Sequence, residues 1–95
     1  MILMKKITMF YLEDCPYCKN AFKAMEELKG QNPAYNEIEM ECIEEHEHAD
    51  IAEQYDYWNV PTLFVGDEKV YESYFGHNYD TIYENVKKAL DLAIA

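Results

Sequence analysis

The feature that most constrains this chain is the tetrapeptide Cys-Pro-Tyr-Cys at residues 15–18, which lies between an apolar segment and a helical pattern. The segment from Lys6 to Leu12 predicts a strand, and apolar side chains recur at helical spacing from Pro16 to Lys29. A Cys-x-x-Cys turn that opens a helix brings two sulfurs close enough to bridge and places them in different surroundings. The pattern therefore indicates a redox-active dithiol at a helix N-terminus.

The two cysteines are expected to play different roles. The first amide N–H groups of a helix have no partners within the helix and favour negative charge, so Cys15 is the expected thiolate nucleophile. Cys18 lies one turn further along, on the apolar stripe of the helix, and we expect it to be buried and protonated. Pro16 fits this geometry because proline is favoured at the first helical position.

Length and cysteine content limit the class of protein. The chain has 95 residues and is 49% apolar, which predicts one compact domain over residues 1–95. Three cysteines do not form a disulfide scaffold, because Cys42 has no partner nearby in the sequence. Cys42 alternates with Ile38 and Met40 along a strand pattern and is predicted to be a small buried side chain.

The prediction of localisation depends on whether the sequence contains an export signal or a membrane-spanning segment. The apolar stretch after Lys5 and Lys6 breaks at Glu13, which leaves it shorter than the ~7 to 15 residues of an export-signal core. No stretch approaches the ~20 apolar residues of a membrane-spanning helix. We therefore expect a cytoplasmic protein, in which a Cys-x-x-Cys pair acts in catalysis or metal binding rather than as a structural bridge.

The net charge of −11 narrows the range of partners. A strongly acidic chain offers no basic patch for nucleic acid or for an anionic membrane, so we expect neither as a partner. The charge instead favours neutral or basic protein substrates. Glutamates recur from residue 37 to residue 47 and form either a docking surface or a solvated face.

Periodicity and turn residues predict the rest of the chain as a strand, a helix, a β-hairpin and a last helix. Their predicted ranges are Asn36–Ile43, His48–Tyr55, Thr62–Val65 with Lys69–Glu72, and about Asn78–Leu92. We expect Gly30 to cap the first helix, and a capping box of Thr81 and Glu84 to begin the last. The order β-α-β-α-β-β-α predicts an α/β fold with a mixed four-stranded sheet flanked by helices.

The dithiol motif after a strand, together with Val60-Pro61-Thr62 at the start of the third strand, resembles the glutaredoxins of the thioredoxin-like superfamily. The similarity in element order covers nearly the whole chain and implies a thioredoxin-like fold. It implies a thiol-disulfide oxidoreductase in which Cys15 attacks a protein disulfide or a glutathione mixed disulfide and Cys18 resolves the covalent intermediate. In that family the proline at Pro61 is cis and faces the dithiol, which leaves the backbone of Val60 to pair with an extended substrate.

The resemblance also suggests side chains around the substrate groove. Tyr17, between the two cysteines, would flank this groove. Tyr57 and Trp58 precede the Val60-Pro61 corner and either line the same groove, pack in the core or form a lid. His77 is expected to be a simple loop residue.

The sequence departs from the family where glutathione binds. Leu12 stands where glutaredoxins usually carry a basic residue, and Glu13 and Asp14 precede the first cysteine. These two carboxylates oppose formation of the Cys15 thiolate. An exposed charge about 4 Å away destabilises the thiolate by about 1 kcal/mol, which is comparable with the stabilisation that a helix N-terminus provides. The Gly-Gly motif with its following acidic residue is absent after Tyr71, and a single Gly76 resembles the corresponding turn of thioredoxins.

The resemblance implies partners as well. The expected substrates are disulfide-containing or glutathionylated proteins, and the expected electron donor is either glutathione or a flavoprotein thioredoxin reductase. We expect a monomer with no tightly bound cofactor and no bound metal.

Two other classes of function remain open at this point. Cys15 and Cys18 with His46 and His48 could in principle bind zinc, although the histidines follow the second predicted strand. An iron-sulfur cluster that bridges two chains is known among glutaredoxins, but the Pro-Tyr pair between the cysteines is expected to disfavour it. The other class is a noncatalytic interaction module that kept the fold and its acidic surface.

Overall fold

The fold follows the predicted order of elements, with one additional turn of helix. The computed structural model describes residues 4–95; Met1–Leu3, which include part of the predicted domain and of the segment assessed as an export signal, lie outside the described residues. The elements are β1 (Ile7–Tyr11), α1 (Pro16–Gln31), a 3-10 helix (Pro33–Glu37), β2 (Met40–Glu44), α2 (Ala49–Ala52), β3 (Thr62–Val65), β4 (Glu68–Glu72) and α3 (Tyr79–Ile94).

The strands of the described chain form a four-stranded sheet in the order β2-β1-β3-β4. β1 and β2 are parallel, as a helical crossover requires, whereas β3 is antiparallel to both β1 and β4. Thioredoxin-like topology with a mixed sheet flanked by helices is therefore confirmed. β1 and β3 are the two central strands, which explains why nearly all of their side chains are buried.

The sheet is covered on both faces. α1 and α3 pack on one face, and their buried positions include Ala21, Met25, Leu28, Ile82, Val86 and Leu90. On the other face Phe10, Ile43 and Phe64 pack against α2 and the segment that follows it. Each fully buried large apolar side chain contributes about 1.5 to 3 kcal/mol. Within residues 4–95 no helix is long and apolar enough to cross a membrane.

The first helix ends later than predicted. Gly30 lies inside α1 and does not cap it, because the helix continues to Gln31 and the Asn32 N–H donates to the Leu28 carbonyl at 2.9 Å. The Asn32 side chain also accepts the Ala34 N–H at 3.1 Å. Since Pro33 cannot donate a hydrogen bond to continue the helix, Asn32 ends α1 and begins the 3-10 helix.

Two other predicted elements are shorter than expected. The predicted strand Asn36–Ile43 is wrong in its first half, because residues up to Glu37 belong to the 3-10 helix that buries Tyr35. The predicted helix His48–Tyr55 is a single turn, Ala49–Ala52. Tyr55 leaves the helix and packs against the Phe10 ring, with ring centroids 4.8 Å apart, so tertiary contacts override the helical pattern.

Cys42 is exposed, so the prediction that it is buried is wrong. It lies on β2, which is an edge strand of the sheet. Its face of the strand is only partly covered by α1, and a shallow cavity of about 430 Å³ is lined by Cys42 and Met40 on β2 and by Phe22 and Met25 on α1. Alternation along a strand predicts which side chains share a face, but it does not predict how far a helix covers that face.

The start of α3 also differs from the prediction. The Asn78 side chain accepts the Thr81 N–H at 2.8 Å and caps the helix, which begins at Tyr79. The predicted capping box of Thr81 and Glu84 is therefore wrong, because Thr81 already lies inside the first turn. Asparagine is among the best N-cap residues, so the cap moves to Asn78.

We expect Asn78→Ala to lower the free energy of unfolding by about 1 kcal/mol, because the Thr81 N–H loses its acceptor. Thr81→Ala, which tests the alternative cap, should change it by less than about 0.5 kcal/mol. Urea unfolding of both variants checks the assignment. A larger loss for Thr81→Ala than for Asn78→Ala would contradict it.

A polar contact joins the 3-10 helix to α3. The buried Tyr35 donates its hydroxyl hydrogen bond to Asp91, and Lys87 Nζ lies 2.9 Å from the other oxygen of that carboxylate. The Tyr35 hydrogen bond, followed by that of Lys87, holds the pKa of Asp91 below its ordinary value of 3.8. A carboxyl group with a lowered pKa stabilises the fold above its unfolded-state pKa and loses this effect as pH falls.

Asp91→Asn should therefore lower the free energy of unfolding by about 1 kcal/mol at pH 7, because it removes a partly solvent-screened charged acceptor. The difference from the wild type should shrink as pH falls below about 4. Urea unfolding at pH 7 and pH 3 measures both values, with Asp67→Asn in the exposed β3–β4 turn as the control. An equal difference at the two pH values would contradict the assignment.

Candidate active site

Cys15 lies at the N-cap of α1, where the backbone is still extended. Its Sγ accepts the N–H of Cys18 at 3.3 Å, and its carbonyl accepts the N–H of Lys19 at 3.0 Å. Pro16 occupies the first helical position, as the motif predicts. The sulfur of Cys15 thus takes the place of the side-chain oxygen that usually caps a helix, and the helix directs an N–H group at it.

Cys18 has different surroundings. It is only 1% exposed, and it lies on the buried face of α1, as predicted. Burial raises the pKa of the Cys18 thiol far above its usual range, and the hydrogen bond with Cys15 acts in the same direction. Both residues are free cysteines. The pair therefore combines a half-buried sulfur that accepts an N–H with a buried, protonated thiol.

The backbone before β3 faces the first sulfur. The Val60–Pro61 peptide bond is cis, as the resemblance implies, and the Val60 carbonyl oxygen lies 3.9 Å from Cys15 Sγ. This is the distance of a weak hydrogen bond from the thiol. Pairing of β1 with β3 brings the two segments together, because Phe10 lies opposite Thr62 in register.

The Tyr17 side chain contacts the loop between β4 and α3. Its hydroxyl accepts the Gly76 N–H at 2.8 Å, while its ring packs against the main core. Gly76 has a φ of +95°, which favours glycine at this turn. Beside it, the Phe75 side chain is 97% exposed. Tyr17 thus fixes the loop that carries Phe75, and its predicted contact with substrate stays a prediction.

The two aromatic residues before the cis peptide bond have separate roles. Tyr57 stacks on Phe10 with ring centroids 4.7 Å apart, and its hydroxyl donates to Glu45 at 2.6 Å, so it belongs to the smaller core. Burial, assisted by Glu45, raises the pKa of the Tyr57 hydroxyl. Trp58, in contrast, is 89% exposed. Of the two, Trp58 is the one whose ring is available to a partner.

A groove of about 350 Å³ adjoins Cys15 and is lined mainly by polar and acidic residues. Its lining consists of Cys15 together with Leu12, Glu13, Asp14, Glu44 and His46. Three carboxylates, two directly before Cys15 and one at the end of β2, therefore line the groove beside the sulfur. An anionic ligand that enters this groove meets repulsion, whereas a cationic side chain is attracted.

The zinc hypothesis has no geometric support. Within residues 4–95 no group of three or more His, Cys, Asp or Glu side chains lies close enough together to hold a metal ion. Of the two histidines considered as ligands, His46 lines the groove beside Cys15, while His48 precedes α2 in an exposed turn. Proximity of His46 to the groove alone does not complete a ligand set.

Two supporting residues were not predicted from the sequence. Glu72, at the end of β4, is a buried acidic side chain that accepts backbone N–H groups from the segment before Val60. His77 is more than a simple loop residue, because its Nδ1 lies 2.8 Å from the hydroxyl oxygen of the buried Tyr71 and the two rings stack. A glutamate at a strand end and a histidine in a loop carry no periodic signal that separates such positions from solvated ones.

The pKa of Glu72 reflects competing influences. Burial raises it, but the ammonium group of Lys69 and the backbone N–H groups of Trp58 and Asn59 stabilise the charged form. These hydrogen bonds outweigh burial, so the pKa of Glu72 lies below its ordinary value of 4.5. Glu72 is therefore a carboxylate at neutral pH.

Comparisons with solved structures agree with this fold. The chain is similar to a structure described as a malarial protein, with a TM-score of 0.60, 15% identity, and 92% of this chain and 98% of that chain covered. It is similar to an uncharacterised thioredoxin-like protein from Clostridium perfringens, with a TM-score of 0.56, 23% identity, and 94% and 73% covered. The first two thioredoxin domains of Saccharomyces cerevisiae Eps1p give a TM-score of 0.54 and 20% identity, with 93% of this chain and 36% of that chain covered.

Sequence comparison adds the family. No curated protein sequence matches the chain. The sequence profile of the glutaredoxin family, however, matches residues 6–70, which is more than half of the chain and includes both cysteines and the Val60-Pro61 corner. The chain belongs to the glutaredoxin family of thiol-disulfide oxidoreductases, whose thioredoxin-like fold it shares.

Proposed function

We propose that this chain is a dithiol oxidoreductase in which Cys15 attacks a substrate disulfide and Cys18 resolves the intermediate. The observation that carries the proposal is the difference between the two sulfurs. Cys15 Sγ is half-buried at the helix N-cap and faces the Val60 carbonyl, whereas Cys18 is buried and its thiol pKa is raised. One sulfur is accessible to a substrate, and the other is held directly behind it.

The reaction proceeds in two exchanges. The Cys15 thiolate attacks one sulfur of the substrate disulfide, a mixed disulfide forms, and the second substrate sulfur leaves as a thiolate. Cys18 then attacks Cys15 Sγ and releases the first substrate sulfur, which takes up the proton that Cys18 gives up. The substrate disulfide is reduced by two electrons, the Cys15–Cys18 pair is oxidised to a disulfide, and an external thiol reductant restores the dithiol.

Protein disulfides are the substrates that these surroundings favour. The side chains of Trp58 and Phe75 are largely exposed, one on the loop that leads to Val60 and the other on the loop that Tyr17 contacts through Gly76. Large exposed aromatic groups suit contact with a polypeptide. The backbone of Val60 offers hydrogen bonds to an extended chain. Glu13 and Asp14 add a preference for neutral or basic segments.

The proposal extends to the cellular setting. We propose that the protein acts as a monomer in the cytoplasm without a tightly bound cofactor, and that nucleic acids and membranes are not its partners. Glutathionylated proteins are the second substrate class. The electron donor is glutathione or a thioredoxin reductase. The negative charges of the groove influence which of the two reduces the oxidised Cys15–Cys18 pair.

Cys15→Ser should lower turnover of both protein disulfides and glutathione mixed disulfides at least about 100-fold, because the attacking sulfur is lost. Cys18→Ser should abolish protein-disulfide turnover and accumulate a mixed disulfide at Cys15. The same variant should retain activity on glutathione mixed disulfides, where a second thiol can come from glutathione. Turnover assays and mass spectrometry of the trapped species measure these effects.

Cys42→Ser is the matched control, because Cys42 is exposed on β2 and takes no part in the proposed exchange. Its turnover should equal that of the wild type. Substantial activity of Cys15→Ser would show that the chain does not use this mechanism.

The acidic groove predicts poor use of glutathione, which carries a net negative charge at neutral pH. Replacing both neighbours of the nucleophile, as Glu13→Gln with Asp14→Asn, should raise glutathione-dependent turnover about fivefold at low ionic strength. The gain should decrease at high salt, because exposed charges are screened. The assay compares glutathione with glutathione reductase against thioredoxin reductase as the source of electrons.

The double replacement Asp67→Asn with Glu68→Gln is the charge-matched control, because these residues lie at the opposite end of β3 from Cys15. It should leave glutathione-dependent turnover unchanged. An equal gain in glutathione-dependent turnover for both double variants would attribute the effect to net charge. No gain for either variant would show that the charges of the groove do not affect the use of glutathione.

A further inference from the structure

Glu72 is an unusual residue for the end of a strand. Its side chain is 6% exposed, although glutamate is rarely buried without partners. It pairs in register with Thr62 at the start of β3, directly after the cis Val60–Pro61 bond. The carboxylate therefore lies beside the corner that faces Cys15.

Four donors converge on this carboxylate. Oε2 accepts the backbone N–H of Trp58 at 2.8 Å, the backbone N–H of Asn59 at 2.9 Å and the Asn59 side-chain amide at 3.4 Å. Oε1 lies 2.8 Å from Lys69 Nζ, which also donates to the Asp56 carbonyl at 3.2 Å. Every contact on Oε2 comes from the two residues that precede Val60.

These contacts give the segment before β3 the hydrogen bonds that a neighbouring strand would otherwise supply. Trp58 and Asn59 precede β3, so their N–H groups have no partner in the sheet, and the Glu72 carboxylate supplies the acceptor instead. On the other side of the corner, the Thr62 hydroxyl donates to the Asn59 carbonyl, and the Ser73 N–H donates to the Pro61 carbonyl at 3.0 Å. The corner is thus held by β3 after Pro61 and by Glu72 before Val60.

An ordinary surface ion pair does not account for this arrangement. The Lys6–Glu41 pair has a similar separation of 2.9 Å, but both of its side chains are about half exposed, and such pairs contribute little to stability. Glu72 is buried, and most of its hydrogen bonds go to a loop rather than to the lysine. Its contacts therefore hold the loop that contains Trp58 and Asn59 in place.

We propose that Glu72 is a positioning residue that holds Trp58 and Asn59 so that the Val60 backbone faces Cys15 Sγ. This inference rests on the oxidoreductase function proposed above. Substrates that pair with the Val60 backbone depend on the position of this corner, because small displacements of a binding group greatly reduce the rate of reaction. A small disulfide that reaches only Cys15 does not depend on it.

The test measures how fast the fully reduced chain is oxidised in a single turnover, with no reductant present. One oxidant is a disulfide-bonded peptide, and the other is the small neutral 2-hydroxyethyl disulfide. Glu72→Gln should lower the rate constant for the peptide about tenfold and leave that for the small disulfide within about twofold. Amide hydrogen exchange of Trp58 and Asn59 should become at least about tenfold faster.

Glu68→Gln is the matched control, because it removes the same charge from an exposed position on the same strand. It should change neither rate constant and neither amide exchange rate. If Glu72→Gln does not fold, Glu72→Asp serves instead, since it keeps the charge but is too short to reach both N–H groups. It should show the same selective loss for the peptide.

Three results would overturn the inference: equal losses for both disulfides, an unchanged rate for the peptide, or unchanged exchange at Trp58 and Asn59. Equal losses with a lower unfolding temperature would show that Glu72 serves stability alone. If the reduced wild-type chain reacts with neither disulfide, the oxidoreductase function fails and the positioning role fails with it. Amide exchange would then still show whether Glu72 holds the loop, which separates the two failures.

Discussion

The pairing of β1 with β3 is the constraint on which the site depends. Phe10 lies opposite Thr62, so the chain that leaves β1 toward Cys15 meets the chain that enters β3 from Val60. Both strands are central and buried, and a shift of one residue would turn Phe10 away from Phe64 and the smaller core. The apolar core therefore determines the separation of the sulfur and the Val60 carbonyl, although these atoms lie at its edge.

Carboxylates near Cys15 act in two different ways, depending on whether they are buried or exposed. Glu72 is buried and compensated by four donors, so its charge organises the backbone before the cis bond. Glu13 and Asp14 are exposed beside Cys15, and their charges act on any group that approaches its sulfur. Because charges in water are screened over about 8 Å at physiological ionic strength, these neighbours matter more to the site than the net charge of −11.

The sequence predicts best what depends on continuous apolar patterns. The strands β1 and β3 are predicted by short continuous apolar runs, and the buried faces of α1 and α3 by apolar residues at helical spacing. Gly30, the start of β2 and the cap of α3 are not, because single side chains such as Asn32 and Asn78 decide where a helix ends or begins. Cys42 was misplaced because alternation does not reveal that its strand lies at an edge.

The same limit applies to the site. The Cys-x-x-Cys motif carries a local signal for a helix N-terminus, whereas the cis bond at Val60-Pro61 and its position facing Cys15 are expected only from the resemblance to the family. The partners of Glu72 are backbone N–H groups in a loop without periodicity, and no pattern of residue types specifies them.

Membership of the glutaredoxin family does not by itself make glutathione the preferred partner. Where the resemblance implies a basic residue and a Gly-Gly motif for glutathione, this chain has Leu12 and the segment after Tyr71, and the groove beside Cys15 carries carboxylates. The corner at Val60 and the exposed ring of Trp58 are features that an extended polypeptide can use in full and a tripeptide only in part. The proposed function assigns affinity for a protein segment to this backbone and apolar contact, and assigns to the groove a repulsion that acts on the small anionic thiol. The two effects operate on different steps, so a protein substrate can be favoured whichever reductant restores the dithiol.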